Sequence, residues 1–178
     1  MSRPGLPLAL TLVLGPPPAQ ETPKPTPHHE AMKAAVGTWD AAVKMHVGPG
    51  KPPMESKGVE VNRLLMGGLW MQSSFISDLG GVPFEGSGLF GYDPAKGQHV
   101  GTWVDSMVMS QSFPVGTCKD HCKEVTLTFM GVGMDGKPCA YKEVSTQVDA
   151  DHRTMTMYVK GKDGKYALEM EIAYTRRK

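Results

Sequence analysis

The residues of this chain best equipped for chemistry are three cysteines and six histidines spread over 178 positions. Cys118, His121 and Cys122 lie close together, and thiolate and imidazole groups at such spacing are ligands of the kind zinc takes. Zinc sites, however, bring together two separated pairs of ligands, each closely spaced. Here the second pair is missing its partner, because Cys139 stands by itself, so no metal is expected. The other reading is a hairpin loop at Lys119-Asp120-His121, with Cys118 and Cys122 facing one another closely enough for a disulfide in an oxidising compartment. That pairing leaves Cys139 over, and the bond could equally run to it.

The histidines do not form a catalytic set. His28 and His29 fall in a tether or helix start, His46 points outward by strand parity, and His99, His121 and His152 lie at strand ends or a turn. A Gly-x-Ser-x-Gly elbow, a His-Glu-x-x-His pair and a phosphate-cradling glycine loop are all missing, so hydrolase and nucleotide chemistry lose their usual support. No cofactor is expected.

Polar side chains that parity sets among apolar neighbours make a third group. Arg63 follows Val59 and Val61 on one face, Asp105 follows Trp103, and Arg153 precedes Met155 and Met157. A buried charge needs a partner, so an interior Arg and Asp would pair or grip the polar head of a ligand, whereas at a barrel rim they would simply meet water. Trp70 and Gln72 share the face opposite Met71, and only one of these sets can line an interior. Thirteen methionines fit a core filled by adaptable side chains or a pocket that accepts varied apolar ligands. The candidate ligand-binding residues are therefore Arg63, Met71, Trp103, Asp105, Arg153, Met155 and Met157, with no catalytic residue assigned.

Something must position these groups, and the pattern of the chain says what. Eight of the 15 prolines fall in the first 27 residues, which marks a composition break. Arg3, the apolar run Leu6 to Leu14 and the small-residue exit at Pro16-Pro17-Pro18-Ala19 read as a secretory signal over 1–19, too short to anchor in a bilayer. A Pro-rich tether is expected over 20–27 and one domain over 28–178. Good helix formers from His28 to about Ala35 predict a short helix that Gly37 ends.

Beyond Gly37, alternating segments bounded by Gly, Pro and Asp recur every dozen or so residues, an all-β signature. In the first strand Trp39, Ala41, Val43 and Met45 share the inward face. In the last, Leu168, Met170, Ile172, Tyr174 and Arg176 do so. Between them strands are expected near 57–66, 68–77, 86–92, 98–106, 108–115, 122–130, 140–148 and 152–160. Tight turns at Gly67-Gly68, Asp93-Pro94, Asp135-Gly136 and Asp163-Gly164 support the count. About ten short-linked strands hide their edges by closing into a single antiparallel up-and-down barrel, wide enough for one small ligand.

Gly37-Thr38-Trp39 opening the first strand and Arg176-Arg177 ending the last resemble the Gly-x-Trp signature of the calycin (lipocalin-like) superfamily. That resemblance implies a Trp at the closed end covered by an Arg, here Arg176. Phe84-Glu85-Gly86, Gly91-Tyr92-Asp93, the block Gly101 to Ser106 and Tyr174-Thr175-Arg176 are similar to the bacterial domain of unknown function 1579. This likeness runs from about His29 to Arg177 and implies a fold without carrying over any chemistry. By analogy with nitrobindin-type ten-stranded barrels, haem binding would need one inward His, for which His99 and His152 are the candidates.

The expectation is an exported, periplasmic or secreted carrier or sensor of a small apolar or amphipathic molecule. The alternatives are an isomerase- or cyclase-like enzyme with Asp105 as base, a haem barrel, and an envelope interaction module plugged by its own side chains. With 19 basic and 18 acidic residues scattered along the chain there is no footprint for nucleic acid, and no integral membrane segment is expected in the mature chain. Nothing in the sequence sets the oligomeric state.

Overall fold

The structure is a computed structural model that describes residues 22–178 apart from Pro49 and Met134. The expected signal segment lies outside the described residues. From Thr26 the chain enters a short α1 (Pro27–Ala31), tightens into a 3₁₀ turn (Met32–Ala35) and begins β1 (Gly37–Met45). There follow β2 (Met54–Leu65), β3 (Trp70–Leu79), β4 (Val82–Asp93), β5 (Gln98–Asp105), β6 (Val115–Lys119), β7 (Glu124–Val132), β8 (Pro138–Gln147), β9 (His152–Lys160) and β10 (Tyr166–Arg176). Each strand pairs antiparallel with the next, and β1 pairs with β10, so the ten-stranded sheet closes on itself. No helix among the described residues is long and apolar enough to cross a membrane.

Period-two patterning explains the closure. Trp39, Ala41 and Val43 are buried while Asp40, Ala42 and Lys44 are exposed, and the partner face of β10 buries Ile172 and Tyr174. Trp39 lies opposite Arg176 in register. The Arg176 guanidinium sits 4.1 Å from the Trp39 ring and donates to the carbonyls of Val36 (2.6 Å), Ala34 (2.8 Å) and Ala150 (2.8 Å). One side chain thus seals the end of the barrel and satisfies carbonyls left over by the helical segment. Gly37, at φ +125°, is needed here, because a Cβ at that position would lie 2.8 Å from Arg176 Nη1.

Two expectations along the chain are corrected. Residues 108–115 do not form a strand: apart from a single bridge between Ser112 and Trp103 this stretch is a loop, and β6 starts only at Val115. Residues 106–114 have a strand-like period but meet β5 only at two points, where Ser112 exchanges backbone hydrogen bonds with Trp103 and the Pro114 carbonyl accepts from the Gly101 amide, and Pro114 has no N–H to extend the ladder. Leu168 faces outward, since a bulge between Leu168 and Met170 leaves Glu169 as an extra residue and reverses parity before it. Three of the four expected tight turns fall wholly between strands, and the fourth, Asp93-Pro94, begins on the last residue of β4.

Candidate functional site

Register carries one set of side chains into the barrel. Met71 on β3, Trp103 and Asp105 on β5, and Arg153, Met155 and Met157 on β9 belong to the inward face, linked through pairs such as Arg153↔Tyr174 and Met155↔Ile172. Arg63 does not: it pairs with Gln72 on the outer face and is exposed. The inward residues of β2 are instead Glu60 and Asn62, both buried. Sequence parity missed them because Val59, Val61 and Arg63 looked like the apolar face of that strand.

At the sealed end these residues form a polar floor. Arg153 donates to the Glu60 carboxylate, and the two side chains are only 12% and 10% exposed. Asn62 Nδ2 donates to Glu60 Oε1 (2.6 Å) and to the Ala35 carbonyl (3.0 Å). The Arg153 guanidinium lies 3.8 Å from the Tyr174 ring and 4.7 Å from the Trp39 ring. Glu143 faces the same space from β8, and burial pushes its carboxyl above the usual range; the Glu60 charge adds to the shift, while the Ser145 hydroxyl and Arg153 oppose it. Tyr174 is likewise raised, first by burial and then by Glu60. Two buried side-chain atoms in this network have no partner among the described residues, Arg153 Nε and Asn62 Oδ1.

Above the floor the walls are apolar. Met155, Met157, Met170, Phe129 and Trp103 take the inward side of their strands and are half-buried. Trp103 packs against Gly86, where a Cβ would come within 2.3 Å of its indole. Its Nε1 donates to Asp105 Oδ2 (3.1 Å), and Asp105 Oδ1 accepts from the Met107 amide (2.9 Å). Both oxygens of this carboxylate are engaged in holding the indole and the loop. At the open rim the same loop exposes Met107, Met109 and Phe113.

A second cluster lies at the sealed end. Cys118 is disulfide-bonded to Cys122, which the sequence allowed as one of two pairings; Cys139 is free. His121, grouped with these cysteines in the sequence, is exposed and not one of the clustered groups. Their companions come from far along the chain. His28 Nδ1 lies 3.5 Å from Cys118 Sγ and 3.3 Å from Cys122 Sγ, and His99 Nε2 lies 3.8 Å from Cys122 Sγ. His28 stacks on Tyr92 with ring centres 3.9 Å apart. Burial, then the neighbouring His28 and His29, lower the His99 pKa to about 4. The two haem candidates are both committed elsewhere: His99 belongs to this cluster, and His152 is exposed and paired with Asp149 at 2.9 Å.

Ten antiparallel strands closed up and down, a Trp capped by an Arg of the last strand and a polar floor under apolar walls define a calycin-like barrel. The chain belongs to the family of proteins of unknown function DUF1579, whose model matches residues 24–176. No curated protein matches the sequence. Among solved structures it is similar to Rv2717c from M. tuberculosis, with a TM-score of 0.66 at 14% identity, covering 86% of this chain and 99% of that one. At that identity the likeness concerns the fold.

Proposed function

We propose that this protein is an exported carrier or sensor that holds one apolar or amphipathic small molecule inside the barrel. The observation that carries the reading is the incomplete polar floor. A network otherwise hydrogen-bonded leaves one buried donor, Arg153 Nε, and one buried acceptor, Asn62 Oδ1, without partners. Such groups cost free energy unless something meets them. A ligand whose polar end both accepts and donates would meet both, while Met155, Met157 and Trp103 contact its apolar part. The exposed Met107, Met109 and Phe113 at the open rim give an apolar molecule a surface to land on. Export is supported by the basic start, apolar run and small-residue exit of the first 19 residues.

The test is direct. Native mass spectrometry of protein purified from its own host should show a non-covalent adduct of small mass, and titration with the amphipathic probe anilinonaphthalene sulfonate should saturate at one site with transfer from Trp103. Met157→Trp, which fills the interior, should abolish both. Probe binding that never saturates and ignores Met157→Trp would refute the carrier reading. Growth fractionation should find the mature chain outside the cytoplasm, shortened near Ala19.

A further inference from the structure

The histidine and cysteine cluster plays no part in the interior site. We propose that, when its disulfide is reduced, His28, His99, Cys118 and Cys122 form a four-ligand zinc site that pins the N-terminal helix to the barrel. Zinc favours four tetrahedral N and S ligands, with Zn–N of about 2.0–2.1 Å and Zn–S of about 2.3 Å. Tetrahedral angles then set N···S edges at about 3.6 Å and the S···S edge at about 3.8 Å. The three N···S separations here, 3.3, 3.5 and 3.8 Å, already bracket that edge, and all four ligand atoms lie within 4.8 Å of one another. The two sulfurs must part from bonding distance to reach the S···S edge.

Reduction and loading balance simply. A dithiol reductant delivers two electrons to the Cys118–Cys122 bond and itself closes to a disulfide, and its two protons pass to the freed thiols. Each thiol gives up its proton as Zn²⁺ binds, so the loaded site is two thiolates, two neutral imidazoles and one dication, with no net charge. Sulfur and imidazole donors select zinc over magnesium or calcium, which take oxygen. The oxidised pair has no thiolate to offer, so the disulfide and the metal exclude one another.

The location gives the site a purpose. Its ligands come from α1, β5, β6 and the turn after β6. The β5–β6 seam is the weakest in the barrel by register, with only His99↔Gly116 and Val100↔Val115 paired. Zinc would bridge that seam and fasten α1 to the barrel wall. The zinc pairs that the sequence lacked are thus completed by tertiary structure, with His28 and His99 in place of a second Cys pair.

Untagged full-length chain, reduced with dithiothreitol without oxygen and desalted, should take up one equivalent of Zn²⁺ by elemental mass spectrometry. With Co²⁺ it should show thiolate charge-transfer and tetrahedral d–d bands. The air-oxidised chain should bind none. Because losing even a residue that supports a zinc ligand costs 10–100-fold in affinity, His28→Ala and His99→Ala should each weaken binding at least about tenfold, whereas Cys139→Ser should change nothing. Circular dichroism on each variant reports whether the barrel is intact, and His28→Ala, outside the barrel wall, keeps the test valid if His99→Ala fails to fold. No uptake by the reduced chain, or affinity unchanged in His28→Ala, would overturn the proposal.

Discussion

Arg176 and Trp39 face one another across the β1–β10 pairing, the guanidinium 4.1 Å from the ring, and the same Arg ties down Val36 and Ala34. The pair is therefore both the seal of the barrel and the clasp of its helix. Trp39→Ala should lower stability by about 3–5 kcal/mol, as a fully buried indole is lost. Arg176→Ala should cost about 1–3 kcal/mol, because carbonyls lose their donors. Arg176→Lys should recover only part of that, since a lysine has no planar fork to serve several acceptors at once. Urea unfolding midpoints measure all three.

Glu60 and Arg153 make a test of burial. Arg153→Met should destabilise by about 3–5 kcal/mol, because it leaves the Glu60 carboxylate buried without its counter-charge. Glu60→Gln combined with Arg153→Met removes both charges, so the double variant should be less destabilised than the two singles added together. A double-mutant cycle in urea gives the coupling, and additive effects would contradict an ion pair held in a poorly solvated floor.

Glu143 makes stability depend on pH with a defined sign. Its folded-state pKa is raised by burial, so the folded chain holds the proton more tightly than the unfolded chain. The stability this contributes is complete below the ordinary glutamate pKa and is lost as pH rises through the elevated value. Glu143→Gln should flatten that decline in unfolding free energy between acid and neutral pH. A variant that keeps the wild-type slope would assign the titration to another group.

Two glycines mark where backbone and ring come too close for a side chain. A Cβ on Gly116 would lie 1.9 Å from the Thr126 carbonyl oxygen, which belongs to the backbone and cannot swing away. Gly116→Ala should therefore open the short β5–β6–β7 region and cost at least about 1–3 kcal/mol. A Cβ on Gly86 would meet Trp103 at 2.3 Å. Gly86→Ala should move the indole, break its bond to Asp105, and shift tryptophan emission at little cost to the rest of the barrel.

How much could be read in advance differs by strand. In β1 and in β10 from Met170 onward polar and apolar residues alternate cleanly, so the inward set there was legible, and the resemblance to the Gly-x-Trp signature supplied the Trp39–Arg176 contact. In β2 the signal was inverted. Val59, Val61 and Arg63 make the outer face and Glu60 and Asn62 the inner one, because Arg153 and the Ala35 carbonyl satisfy the polar pair inside. The stretch 108–115 has strand periodicity, but before Val115 it makes only one bridge. The Leu168 bulge has no mark in the sequence, since inserting one residue changes the face of every side chain before it while leaving the pattern intact.

By itself, then, the sequence determined an all-β chain of about ten antiparallel strands with most of its turns, since these follow from local alternation and from glycines where the backbone needs them, while the sealed base entered through the resemblance to the calycin Gly-x-Trp signature. Tertiary structure alone decided the company each group keeps. Arg153 meets Glu60 across 93 positions and His28 meets Cys122 across 94. Periodicity fixes which side of its own strand a residue takes; register and closure of the sheet, which depend on all the strands together, fix what stands opposite.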